Sequence, residues 1–362
     1  MLVATRACFS QQSDKIINVT EVERIEKILA ADDMQGRRTF SPGIDKAAAF
    51  IADELKKAGL QPVNGSSYFQ EFSAIRPKFI SAVGSINGKP IEEKNIVVLS
   101  AKENITIDET TGYEKIVVGP KDTLRNVVGR IWNSGKNYVL MVDTAHIRTF
   151  NNYKRRSETF PNPTNVVMVL TAEGAEKYSV DFKQQITQLP LRNVVGIIPG
   201  KSKKEEIVIF SAHYDHLGIG KPNAAGDSIF NGANDDAAGT TAVILLAKHF
   251  AQEKNNERTL VFAAFTGEEV GAFGSTYFSR QYDPAKVVAM FNIEMIGTES
   301  KWGTNSAFIT GYERTSMGDI LQKNLEGSQF KFHPDPYPAQ NLFFRSDNAT
   351  LARLGVPAHT IS

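Results

Sequence analysis

Cysteine occurs once in the 362 residues, at Cys8. No disulfide can close within the chain and no cysteine-based zinc cluster can form, while the redox compartment stays open. No apolar run approaches the ~20 residues that cross a bilayer as a helix. Neither sign of charge dominates: 41 basic and 40 acidic residues give a net charge of +1. The densest cluster, KSKKEE at 201–206, reads as a solvated turn. Nucleic acid and acidic membrane are therefore poor candidates as main partners. Internal repeats and low-complexity tracts are also lacking.

What is there is ordinary globular material, 41% hydrophobic and 22% charged. A chain of this length buries a sizeable core and fits two domains, or one large domain with an insertion. The start, MLVATRACFS, is mildly apolar, rich in small residues and followed at once by a polar segment. Residues 1–15 read either as the remnant of a secretory signal or as a disordered start. This points to a secreted, periplasmic or cell-envelope protein, with the cytoplasm as the alternative.

Periodicity predicts a helix over 20–31, with Thr20 and Glu23 in a capping-box pattern, and a second over 43–58, stopped by Gly59. From about 75 to 190 the pattern changes to short β-type runs, NIVVLS, KIVVGP, NYVLMVD and NVVMVL, separated by turn-rich and charged stretches. This segment, 76–189, reads as a β-rich inserted domain without motifs that carry chemistry. After 192, wholly apolar strands (193–200, 206–213, 258–266, 286–294, 306–311) alternate with helices (238–252, 270–280, 316–326, 347–354). The fold class is α/β: a mainly parallel mixed sheet with helices on both faces, formed by 16–75 and 190–362. In such sheets, sites form at the carboxyl ends of strands.

Four polar clusters fall there. SAHYDH closes the strand 206–213; if the strand runs on to Asp215, its carboxylate shares a side with His213 and can fix the imidazole's tautomer. In NGANDDAAG, Asp235 and Asp236 precede a helix, where they can cap it or one of them can bridge metals. In FTGEEVGAFGS, Glu268 and Glu269 sit at the mouth of a buried strand. Two adjacent carboxylates losing hydration there call for positive compensation, and one can bind metal while the other moves protons. Glu294 ends the apolar run FNIE. Mixed nitrogen and oxygen donors suit zinc and tolerate manganese or cobalt.

The order H-x-D, N-D-D-A-x-G, G-E-E-x-G-x-x-G-S and N-x-E-M-x-G resembles metallopeptidase family twenty-eight, the di-zinc aminopeptidases related to glutamate carboxypeptidases and glutaminyl cyclases. The likeness covers about 192–362, and FFRSDNATLARLGVPAHT resembles that family's segment near the substrate pocket. The resemblance implies a zinc-exopeptidase (phosphorylase/hydrolase-like) fold, with the insertion where members carry an extra domain, sometimes of the protease-associated type. It implies two zinc ions held by His213, Asp235, Glu269 and Glu294, with Asp235 bridging and the Asp235–Asp236 bond cis. Asp215 and Asp236 would support them, and Glu268 would be the catalytic base that deprotonates a metal-held water. Glu294 stands where aspartate is usual. The family's last ligand is a histidine downstream of GVPAHT; the sequence ends at Ser362, so a fragment or an incomplete site is expected, with His359 structural. The implied activity is aminopeptidase action on peptide or protein N-termini. The alternatives are a glutaminyl cyclase, a carboxypeptidase using Arg345, or a non-catalytic binding domain on the same fold.

Overall fold

The computed structural model describes residues 15–155, 157–172 and 175–362. The expected signal remnant, apart from Lys15, lies outside the described residues. The chain divides into two compact units: residues through Phe72 together with Leu191–Ser362, and Ser73–Pro190.

The first unit is built on strands β1 (Tyr178–Ile198, from Leu191 on), β2 (Lys203–His213), β3 (Arg258–Phe265), β4 (Val287–Ile293), β5 (Ser306–Ile309), β6 (Lys331–Pro334) and β7 (Ala358–Ile361). Their order is β6-β5-β7-β4-β2-β3-β1. β2 pairs in parallel with both β3 and β4, and β4 in parallel with β7; β1 joins β3 antiparallel, so the sheet is mixed. Alternation along the strands splits two cores. Val194, Ala212, Phe262 and Ala264 face helices α1 (Val19–Leu29), α2 (Pro42–Lys57) and α3 (Ala238–Glu253). Val195, Ile209, Val261 and Met290 face the other side, where Phe278 of α4 (Phe273–Ser279) and Leu351 of α5 (Asn348–Ala352) cover them.

Two local expectations change. The first helix is capped by Asn18, whose side chain accepts from the Glu21 N–H at 3.0 Å, rather than by Thr20. A side-chain oxygen three residues ahead of an orphan amide is sufficient, and Asn18 is the one in extended backbone. The helix expected from 270 begins only at Phe273, because Gly267 and Ala272 both adopt positive φ and residues 268–272 form a turn.

The second unit holds a four-stranded sheet, Ile96–Leu99, Asn165–Leu170, Asn137–Val142 and Glu114–Val118 in that order. One face packs on Leu124, Val128 and Phe150 from two short helices, Leu124–Ile131 and Ile147–Lys154. The other packs on Ile105, Val180 and Phe182 from further strands. The two helices occupy stretches that the sequence pattern presents as turns. Each is only eight residues long, too short for a helical period to stand out.

Candidate metal centre

Because β4, β2 and β3 are parallel neighbours, their carboxyl ends lie together, with His213 opposite Phe265 and Ser211 opposite Asn292. The chain then delivers its polar groups. His213 is the last residue of β2, the Gly267–Glu268–Glu269 turn follows β3, and Glu294 follows β4. Asp235 arrives on the segment that leads into α3.

The His213 ring is buried, with Nδ1 3.1 Å from the Asp215 carbonyl oxygen. A carbonyl only accepts, so Nδ1 carries the proton and Nε2 presents its lone pair. Nε2 has no hydrogen-bond partner and lies 3.2 Å from Asp235 Oδ1. A lone pair facing a carboxylate is stable only with a cation or a proton between them. Burial disfavours charge on His213, yet Asp215, Asp235 and Asp236 outweigh it and raise its pKa well above the usual value. A metal ion meets the same electrostatic demand, so the donor set fits one.

Strand β2 stops at His213, so Asp215 is not a strand neighbour of the imidazole. Its backbone carbonyl, rather than its carboxylate, is the atom at hydrogen-bond distance from the ring; Oδ1 is 3.6 Å away. The carboxylate accepts the Glu268 N–H at 3.1 Å, the Glu269 N–H at 3.3 Å and the Thr39 hydroxyl at 2.8 Å. It fixes the glutamate turn.

Asp235 and Asp236, joined by a cis peptide bond, divide two tasks. Asp236 is buried and accepts the N–H groups of Gly239, Met295 and His213 at 3.0, 3.1 and 3.3 Å. Gly239 allows this approach: a Cβ there would lie 2.5 Å from the Asp236 carboxylate. Asp235 is free to turn its carboxylate outward. Two groups of donor atoms result, each within 4.8 Å: His213, Asp235 and Glu294; and His216, Asp235 and Glu269. Asp235 belongs to both.

Burial, the largest influence, pushes the Glu268 carboxyl up to about 9, with Asp347, Glu294 and Asp215 adding to it and His213 opposing. Asp347 is fully buried, neither carboxyl oxygen has a hydrogen-bond partner, and burial raises it to about 7. Sequence reasoning assigned no role to Asp347, His216, Thr39 or Arg37. Arg37 is wholly buried and donates to the carbonyls of Tyr214, Leu29, Asn231 and Gly232 at 2.6–2.8 Å, tying the segment after His213 to the one before Asp235. His359 sits within β7, with its ring nitrogens on Thr315 and Thr310, in a structural role.

A "Probable leucine aminopeptidase" of Trichophyton verrucosum is 28% identical over 236 residues, covering 62% of this chain and 61% of that protein. A "Probable zinc metalloprotease" of Pyrenophora teres f. teres is 33% identical over 123 residues, 33% of this chain and 26% of that protein. The chain thus spans less than two thirds of either relative. Among solved structures, an aminopeptidase from Aneurinibacillus sp. strain AM-1 shares the fold, with TM-score 0.53, 18% identity, and 97% of this chain and 86% of that one covered. LapA aminopeptidase of Legionella pneumophila gives TM-score 0.51 at 12% identity, covering 98% of this chain and 63% of that one. Residues 193–362, a little under half of the chain, match the model of Peptidase family M28.

Proposed function

We propose that the protein is a zinc-dependent aminopeptidase that hydrolyses the first peptide bond of peptides or proteins. The observation that carries the reading is Asp235, whose carboxylate belongs to two donor groups and suits a bridge between two ions. His213 and Glu294 would complete the hold on one ion, and Glu269 would hold the other. Bound zinc supplies Lewis acidity, making a water more acidic and a peptide carbonyl more electrophilic.

The chain's own residues do the rest. Glu268 takes the proton of the attacking water and returns it to the leaving amine. Without ions, burial pushes the Glu268 carboxyl up to about 9; two cations beside it would bring it down to the anion that accepts the water's proton. Asp215 holds the Glu268 turn by its backbone, so the base is aimed without spending its own oxygens. Asp215, Asp235, Asp236, Glu268, Glu269, Glu294 and Asp347 together outnumber His213, His216 and Arg37. Two bound zinc ions would offset most of that surplus, so the aminopeptidase reading draws its support from the similarity to a leucine aminopeptidase.

The test is metal content of the purified chain together with release of chromophore from an aminoacyl anilide and from its N-acetylated form. Bound zinc, with chelator-sensitive release from the free amine only, is the expected result. Equal release from both substrates would remove the N-terminal specificity, and zinc-loaded protein without any release would remove the peptidase reading.

A further inference from the structure

We propose that His216 is a direct ligand of the second ion, completing a His216–Asp235–Glu269 site. The inference rests on the two-ion reading above and adds a residue to it. His216 Nδ1 lies 2.8 Å from Glu269 Oε1 and 3.8 Å from Asp235 Oδ2. The opposite oxygen of the same aspartate, Oδ1, is 3.2 Å from His213 Nε2. The two imidazoles thus flank one carboxylate, each beside a different oxygen. An ion about 2.0–2.2 Å from each of three donors needs those donors within roughly 4.4 Å of one another; the two pairs made by His216, at 2.8 and 3.8 Å, meet this, and with the whole group within 4.8 Å the third pair needs to close by a few tenths of an ångström at most.

The imidazole is also seated for the role. Its ring lies against Gly232, where a Cβ would come 2.7 Å from His216 Cδ2. Only glycine tolerates both that approach and the positive φ of 62° found there. The His216 N–H donates to the Arg37 carbonyl at 3.3 Å, and Arg37 in turn holds the Asn231 and Gly232 carbonyls. The backbone segments that carry His216 and Asp235 are therefore clamped by one buried guanidinium. The ring needs little reorganisation to bind.

The test is equilibrium zinc titration of the full chain against a chromophoric chelator, with H216A, H216N and H213A, folding being checked by circular dichroism. The native chain is expected to take two zinc ions. H216A and H216N are expected to keep one and to weaken the other at least about tenfold, in the range lost when a residue supporting a metal site is removed. H213A should weaken the opposite ion. A native chain with two ions, both unchanged in the His216 variants, overturns the proposal and leaves the peptidase reading standing; a native chain with one ion overturns it too. A native chain that binds no zinc sinks both. Should the variants fail to fold, ¹⁵N-histidine spectra of the native chain decide: a shift of the His216 Nδ1 resonance on the second equivalent supports ligation, and no shift refutes it.

Discussion

Replacing Glu268 with glutamine keeps the volume and the backbone hydrogen bond to Asp215 but removes the proton acceptor. E268Q is expected to lower kcat by about 10²–10⁴-fold while zinc content stays at the native level; steady-state kinetics alongside elemental analysis checks both. Arg37 acts differently. Its guanidinium satisfies four carbonyls in a place water does not reach. Arg37→Lys retains charge but offers a single point of donation where a fork is needed. About 3 kcal/mol of stability should be lost from the carbonyls left unpaired, read as a shift of the denaturant midpoint, with weaker zinc binding because both loops loosen. These residues also mark what a sequence can disclose. His213, Glu268 and Glu294 stand out in the sequence because each closes an apolar strand or lies just beyond its end, where a polar residue is conspicuous. Asp235 and Asp236 are indistinguishable by local pattern; the family resemblance singles out Asp235 as the ligand, and the fold shows Asp236 accepting the Gly239 N–H of α3 while Asp235 faces the imidazoles. Arg37 and Asp347 gave no local signal: three of the carbonyls Arg37 holds lie more than a hundred residues on, and Asp347 acts on Glu268 from a different element.

At the level of elements, α1, α2 and α3 are joined by a charge cluster that the apolar pattern does not report. Glu54 of α2 is buried and meets Arg24 of α1 and Lys248 of α3, both at 2.6 Å; Glu21 of α1 meets the same two cations at 3.1 Å. Burial works to raise Glu54, but the two cations outweigh it and hold its pKa below the usual value. Hydrogen bonding to Arg24 chiefly takes Glu21 from 4.5 to about 2. A depressed carboxylate contributes its stability above the unfolded-state pKa and loses it as pH falls through the folded value. Stability should therefore decline between about pH 4.5 and 2. Glu54→Ala should lower it by about 2 kcal/mol at neutral pH, a figure discounted because Arg24 is partly exposed. In the variant, the acid-dependent decline should also be shallower. Circular dichroism melts across that range would show both effects. The strands and long helices of this unit were legible because a period is visible over several turns or alternations. The short helices of the insertion were not, and neither was the exact start of α4, where positive-φ residues interrupt the pattern.

For the whole molecule, ion binding and folding are linked. An ion that binds only the native state stabilises it by about 2.7 kcal/mol at a hundredfold excess over its Kd. Zinc should raise the unfolding midpoint, and a chelator should lower it by a comparable amount; an unchanged midpoint would mean that the donors are not assembled around an ion. The insertion is separable in principle. Tyr68 accepts from Val195 N–H at 2.8 Å, and Asn193 donates to Gln70 at 2.8 Å, so the chain leaves and re-enters the first unit on adjacent strands. Joining Phe72 to Leu191 through an Asn-Gly turn suits such a pair. The product should fold and keep its zinc, as elemental analysis and a cooperative melt would reveal.

That side-by-side exit and return also sets a clock. While Ser73–Pro190 is unstructured, pairing Tyr68 with Val195 means closing a loop on the order of a hundred residues, an entropic cost of about 4 kcal/mol. Once the insertion has condensed on its own cores, its ends are already near one another and most of that cost has been met. The early residues, Arg37 among them, then reach the later loops quickly. Weakening the insertion's interior, as by Val139→Ala, should accordingly slow the refolding step in which the metal ligands come together, although every ligand candidate among the described residues belongs to the first unit.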